Sequence, residues 1–230
     1  MFGFIKNIYD KVDNPGFPKE DLCGVFFWKG KAYSTNNHII GRIVTKKAFP
    51  TDELLFWSYC KDESHEKKQS LPKINALKNL PENFVESLDT VFDSYTENYF
   101  FVKRDTLLSA IPKQFKSDAI KAKTFVHIKI EKINLKFLFF NKKGKILANA
   151  EIPILTANGK TTRIMHGSSF SVNLLYLFRI TFHSFFGCDI IGFKLKGDNY
   201  LHPVIIFNKH NGLERPRIHW SIAQTILKIK

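Results

Sequence analysis

Residues 22–44 read LCGVFFWKGKAYSTNNHIIGRIV, and this stretch decides how the chain begins to fold. An apolar run over 22–28 reads as a buried strand, Lys29-Gly30-Lys31 as a tight turn, and 31–35 as a returning strand. After Ser34-Thr35-Asn36-Asn37-His38 the apolar pattern resumes as a third strand over 39–45. A second stretch, residues 168–208, reads SSFSVNLLYLFRITFHSFFGCDIIGFKLKGDNYLHPVIIFN. Here Phe170 to Val172 is a strand and Asn173 to Phe186 an apolar helix. Ile190 to Leu195 then pairs with Leu201 to Phe207 through Lys196-Gly197-Asp198-Asn199.

Outward from these two stretches the same plan recurs. Phe4, Ile5, Ile8 and Val12 fall at helical spacing before Pro15-Gly16. Residues 52–60 fit a short helix or strand, KDESHEKKQS at 61–70 has no apolar residue and predicts an exposed loop, and 73–95 predict one or two amphipathic helices. Tyr99-Phe100-Phe101-Val102 is strand-like, and Asp105 is a candidate N-cap for a helix carrying Leu107, Leu108 and Ile111 that Pro112 stops. Val126, Ile128 and Ile130 alternate with His127, Lys129 and Glu131. Together with Leu135 to Phe140, a turn at 141–144 and Ile146 to Ile154, they predict an antiparallel meander with one buried face. The expectation is an α+β chain of repeated strand–helix–strands units in two domains, 1–97 and 98–230.

The two opening stretches resemble separate pieces of the bacterial polymerase III beta clamp, a DNA sliding clamp. The family's strand ends in Ala-Thr-Asp-Gly-His-Arg-Leu, which Thr35 and His38 match, while Asn36, Asn37 and Ile39 replace Asp, Gly and Arg. Its last half-domain runs Phe-x-Val, apolar helix, Cys, strand, polar turn, Pro-Val-x-Ile, in the order of residues 170–206 here. The family closes near Met-Pro-x-Arg-Leu, where this chain has Ile218 to Ile226.

The resemblance implies antiparallel sheets outside, helices inside, and twelve units closing a ring around duplex DNA. Four units per chain imply a homotrimer, three an incomplete, monomeric relative. It also implies that inner helices offer cations to phosphates; the candidates are Lys6, Lys11, Lys113, Lys116 and Arg179. A pocket for short peptides of polymerases or repair factors would use Thr35, Asn37, His38 and Ile40. The alternatives are a monomeric clamp-derived adaptor and a single-stranded nucleic-acid-binding protein, the latter pointing to Phe125 and Phe137 among lysines as stacking residues.

Charge is uneven along the chain. Residues 1–100 hold 13 Lys and Arg against 14 Asp and Glu, whereas residues 101–230 hold 22 against 7, so the second part carries +15 and the first −1 of the net +14. A basic excess confined to one region is what a phosphate-facing surface requires. Cys23, Cys60 and Cys188 are few, odd in number and far apart, which fits reduced thiols in the cytoplasm. The opening MFGFIKNIYDKV is charged too soon for a secretory signal, and no apolar run reaches membrane-spanning length. The chain carries no Gly-rich phosphate loop, no Gly-x-Ser-x-Gly elbow and no zinc spacing, so neither enzymatic activity nor a cofactor or metal is expected.

Overall fold

In the computed structural model the described residues are 24–35, 39–44, 55–58, 84–93, 98–155, 167–185, 187–196, 202–208 and 217–224. The expected helix at 4–12, the loop at 61–70, Cys23, Cys60 and the turn residues 197–199 lie outside them.

Strands β1 (Gly24–Trp28), β2 (Lys31–Thr35) and β3 (Ile39–Val44) form the first meander, and β4 (Leu55–Ser58) pairs with β1. The β1–β2 turn places Lys29 at φ 44° and Gly30 at φ 73°. Positive φ at both central positions matches the twist of a two-residue hairpin, and glycine adopts it without strain. Helix α1 (Phe84–Asp93) follows, then β5 (Asn98–Lys103), α2 (Arg104–Ser109), a 3₁₀ turn at Lys113–Phe115 and α3 (Asp118–Ala122). The second meander is β6 (Thr124–Glu131), β7 (Asn134–Asn141) and β8 (Ile146–Pro153). After β9 (Ser169–Asn173) and α4 (Leu174–Arg179), which widens into a π turn over Ile180–Ser184, comes the third meander: β10 (Ile190–Leu195), β11 (Val204–Asn208) and β12 (Arg217–Ile222).

Sheet order exposes a duplication. One sheet runs β4-β1-β2-β3-β12-β11-β10-β5, the other β8-β7-β6-β9. Each meander is flanked by a strand that belongs to another unit: β5 beside β10, β9 beside β6, β4 beside β1. Residues 98–222 are thus two interlocked copies of strand, helix layer and three-strand meander. The first meander joins the third through antiparallel β3 and β12, so one sheet crosses the expected boundary at residue 97.

Alternation explains which faces meet. Ile191, Phe193, Val204, Ile206, Ile218, Trp220 and Ile222 from one sheet pack with Val126, Ile128, Phe137, Phe139, Phe170 and Val172 from the other, and with Leu174, Leu177 and Ile180. Phe170 and Phe193 bridge the sheets at 6.1 Å between ring centroids. At the β3–β12 joint Trp220 lies opposite Gly41, and a Cβ on Gly41 would sit 2.7 Å from the indole ring. Glycine is required there by close approach.

Three sequence expectations change in detail. Asp105 is not the N-cap of α2; Lys103 holds that position without a side-chain cap, and Asp105 lies in the first turn, 2.9 Å from Arg104 Nη1. The α4 helix ends at Arg179 rather than continuing regularly toward Phe186, because the chain widens into the π turn. Phe125 and Phe137 are interior, 9% and 2% exposed, and so offer no face for stacking bases. Among the described residues no helix is long and apolar enough to cross a membrane.

Candidate nucleic-acid interface

The helices between β5 and β6 and those after β9 form one layer on the core side of the sheets. Ser117 caps α3 by accepting a hydrogen bond from Ile120 N, 3.3 Å. Asn173 caps α4, accepting from Leu175 N at 2.9 Å, while its Nδ2 donates to the Ala122 carbonyl at 3.0 Å. One side chain therefore starts one helix and ties it to the end of the other. Arg104 extends the layer by donating from Nε to the Thr181 carbonyl at 3.0 Å and from Nη2 to the Phe182 carbonyl at 3.1 Å.

Charge in this layer is strongly positive. Residues 104–123 and 174–184 hold Arg104, Lys113, Lys116, Lys121, Lys123 and Arg179 against Asp105 and Asp118. Three of these cations are structural: Arg104, held by the two carbonyls just described, and two that are buried. Arg179 is 3% exposed and donates to Asp118 at 2.7 Å, and Lys121 is 4% exposed, donates to the Lys116 carbonyl at 2.7 Å and lies 4.1 Å over the Phe178 ring. The Arg179 hydrogen bond holds the Asp118 carboxyl below its ordinary range, so this acid stays ionised and occupied. Lys113, Lys116 and Lys123 are exposed. The sequence candidates thus divide: Lys113 and Lys116 present charge to solvent, Arg179 braces α3 against α4, and Lys6 and Lys11 lie outside the described residues. Sequence reasoning does not single out Lys123, although it directly follows α3. Nor does it single out Phe182, 45% exposed and 5.4 Å from Phe178, because an apolar helical run conceals which member faces out.

The second candidate surface lies on the opposite face of the eight-stranded sheet, where α1 crosses β2, β3 and β12. Thr35 is buried and its hydroxyl donates to the Ile39 carbonyl at 3.0 Å, closing the β2–β3 connection. Ile40 and Val91, both partly buried, pack against the buried pair Phe92 and Ile205. Asn37 and His38 lie outside the described residues.

Polar contacts seat α1. Asp89 accepts from Tyr33 Oη at 2.8 Å and Arg42 Nη1 at 2.7 Å, and it also accepts from Lys31 Nζ. Burial alone would raise the Asp89 carboxyl; the three donors outweigh it and hold the group below its ordinary value. Burial, then the hydrogen bond to Asp89, pushes the Tyr33 phenol upward. Sequence reading finds the helix but not its seat, because Asp89 and its partners are 47 to 58 residues apart. Among the described residues no three His, Cys, Asp or Glu side chains are placed to hold a metal ion.

The architecture matches solved DNA sliding clamps. The Helicobacter pylori beta clamp in complex with diflunisal aligns with a TM-score of 0.58 at 12% identity, over 97% of this chain and 63% of that one. The Thermotoga maritima polymerase III beta subunit gives 0.62 at 10% identity over 90% and 58%, and the Streptococcus pyogenes beta subunit 0.60 at 13% over 96% and 63%. No family model and no curated protein matches the sequence. The chain has the sliding-clamp fold, and it spans just under two thirds of the length of the clamps it matches.

Proposed function

We propose that this chain, built on the sliding-clamp fold, is a processivity factor that holds duplex DNA without sequence preference and tethers a polymerase or repair factor to it. The observation that carries the reading is the helix layer, where Asp118 is occupied by Arg179 and Lys113, Lys116 and Lys123 stay exposed. Cations on a rigid layer neutralise phosphates and release counterions, which gives affinity without base readout. Lys6 and Lys11 belong to the same proposal through their helical spacing near the start of the chain. Nothing in this mechanism makes or breaks a bond, and it needs no cofactor. The reading places the protein in the cytoplasm, with its DNA.

The tethering site is assigned to Thr35, Asn37, His38 and Ile40. Because Ile40 is half-buried beside the Phe92 and Ile205 cluster, a peptide that reaches it meets an apolar patch near the end of α1. An apolar anchor would pack on that patch, in the manner of grooves that bind short peptides.

The test is retention on DNA. Protein mixed with closed circular duplex should remain bound through gel filtration at low salt, its affinity should fall steeply as salt rises, and scrambled sequences should bind equally. Salt-insensitive or strongly sequence-dependent binding would overturn the reading. Loss on linearisation separates an encircling from a cradling mode.

A further inference from the structure

Among the described residues the large apolar side chains left exposed are Ile120, Ile133, Ile146, Leu147 and Phe182, and Phe182 is the sole aromatic ring in that group. It lies in the π turn after α4, in the same helix layer as the exposed Lys113, Lys116 and Lys123. A phenyl ring held in solvent forfeits the burial that gives phenylalanine most of its stabilising effect. Its neighbours nevertheless hold it in place.

The Phe182 ring stacks on Phe178, with centroids 5.4 Å apart and planes 11° from parallel, and the His183 imidazole stands at 88° to it with centroids 5.1 Å apart. Cations flank the pair: Lys121 Nζ lies 4.1 Å from the Phe178 centroid and the Arg104 guanidinium carbon 5.9 Å from that of Phe182. Arg104 also donates to the Thr181 and Phe182 carbonyls, so the turn that carries the ring is tied to the start of α2. Single π turns of this kind recur at functional sites. Both acids of the layer are paired, Asp105 with Arg104 at 2.9 Å and Asp118 with Arg179 at 2.7 Å and Lys121 at 3.5 Å. The surroundings of the ring are therefore net positive.

We propose that Phe182 is a stacking platform for an unpaired base of single-stranded DNA, at the point where a strand leaves the duplex held by the helix layer. This deepens the functional reading above and rests on it for the duplex. A base inside a duplex has its faces covered by its neighbours, whereas an unpaired base has a π face free for a phenyl ring, and its flanking phosphates need cations nearby. The layer supplies both. One face of Phe182 rests on Phe178, the residue is 45% exposed, and Lys121, which lies over Phe178, donates to the carbonyl of the exposed Lys116. Stacking accepts any base, so the contact keeps binding free of sequence preference. It would make the protein favour duplex with a single-stranded extension over continuous duplex.

Fluorescence anisotropy with the full chain tests this on three probes: a duplex capped at both ends by non-nucleotide linkers, the same duplex with an oligothymidine overhang, and the same overhang built of abasic sites. The last two carry equal phosphates. Wild type should bind the oligothymidine overhang about tenfold tighter than the abasic one, the size expected of one stacked base. Phe182→Ala and Phe182→Leu should bind the two overhangs alike, with the capped-duplex affinity, the salt slope and the melting temperature unchanged, because no phosphate contact and no buried side chain is lost. Phe182→Trp should keep the preference. Equal wild-type affinity for the two overhangs, or a Phe182→Leu variant that still discriminates, overturns the proposal. A capped duplex that binds while the overhangs are not distinguished leaves the processivity reading standing and assigns the ring to a protein partner instead. Binding of the oligothymidine overhang without binding of the capped duplex sinks that reading and leaves the stacking contact.

Discussion

Arg42 Nη1 stands 2.7 Å from Asp89 Oδ1, and this pair fastens helix α1 to the sheet at the strand that joins the two halves of the chain. The Arg42 side chain is 8% exposed and that of Asp89 16%, and the guanidinium also lies 4.5 Å over the Phe92 ring. Removing one partner of such a pair leaves the other charge unsatisfied.

Asp89→Ala is therefore expected to lower stability by about 2 kcal/mol, below the range for fully buried pairs because Asp93 still holds Arg42. Urea unfolding measures it. The pH dependence follows from the sign of the shift. The folded carboxyl titrates below its ordinary value, so its contribution is complete above the unfolded value, about 3.9, and is lost as pH falls through the lower folded value. Wild type should lose stability below about pH 4, and the variant should lose less.

Gly41→Ala adds a methyl group where 2.7 Å separates it from the Trp220 ring. Overpacking of this kind costs roughly 1–3 kcal/mol, and here it strikes the β3–β12 joint. Amide exchange should accelerate in β3 and β12 and stay unchanged in β6 and β7. Uniform acceleration would show that the joint does not unfold by itself.

Lys113→Glu with Lys116→Glu should weaken duplex binding without changing the melting temperature, and should reduce the salt slope by roughly one for each phosphate no longer neutralised. Arg179→Ala should behave in the opposite way, losing stability because Asp118 and α3 lose their brace. Parallel melting and anisotropy measurements separate the two roles.

Glu131 receives Lys136 at 2.5 Å and Lys129 at 2.9 Å on the outer face of β6 and β7. These two hydrogen bonds, Lys136 first, hold its carboxyl down at about 2. An NMR titration should find that midpoint, and Lys136→Met should return it toward the ordinary range. Because the group is exposed, Glu131→Gln should leave stability nearly unchanged.

Local pattern makes much of the fold readable. Period-two alternation in 124–131 and 146–153 and the Lys29-Gly30 turn depend on neighbours in sequence, so the meanders are visible there, as is the order of strand, helix and meander. The expected Asp105 cap fails for the same reason in reverse: several residues near a helix start can cap, and Arg104, held by the Thr181 carbonyl, moves the start two residues earlier.

The amino-acid order by itself determined the repeated units, the basic second half and the resemblance that led to the clamp fold, because periodicity, charge and motif order are properties of adjacent residues. Only the tertiary structure decided that Arg179 braces rather than faces solvent, that Asp89 seats α1 on β2 and β3, and that β3 and β12 join two meanders in one sheet. Each of these depends on which distant groups compete for the same space and the same hydrogen bonds, and burial assigns those partners only once the sheets have closed on the core.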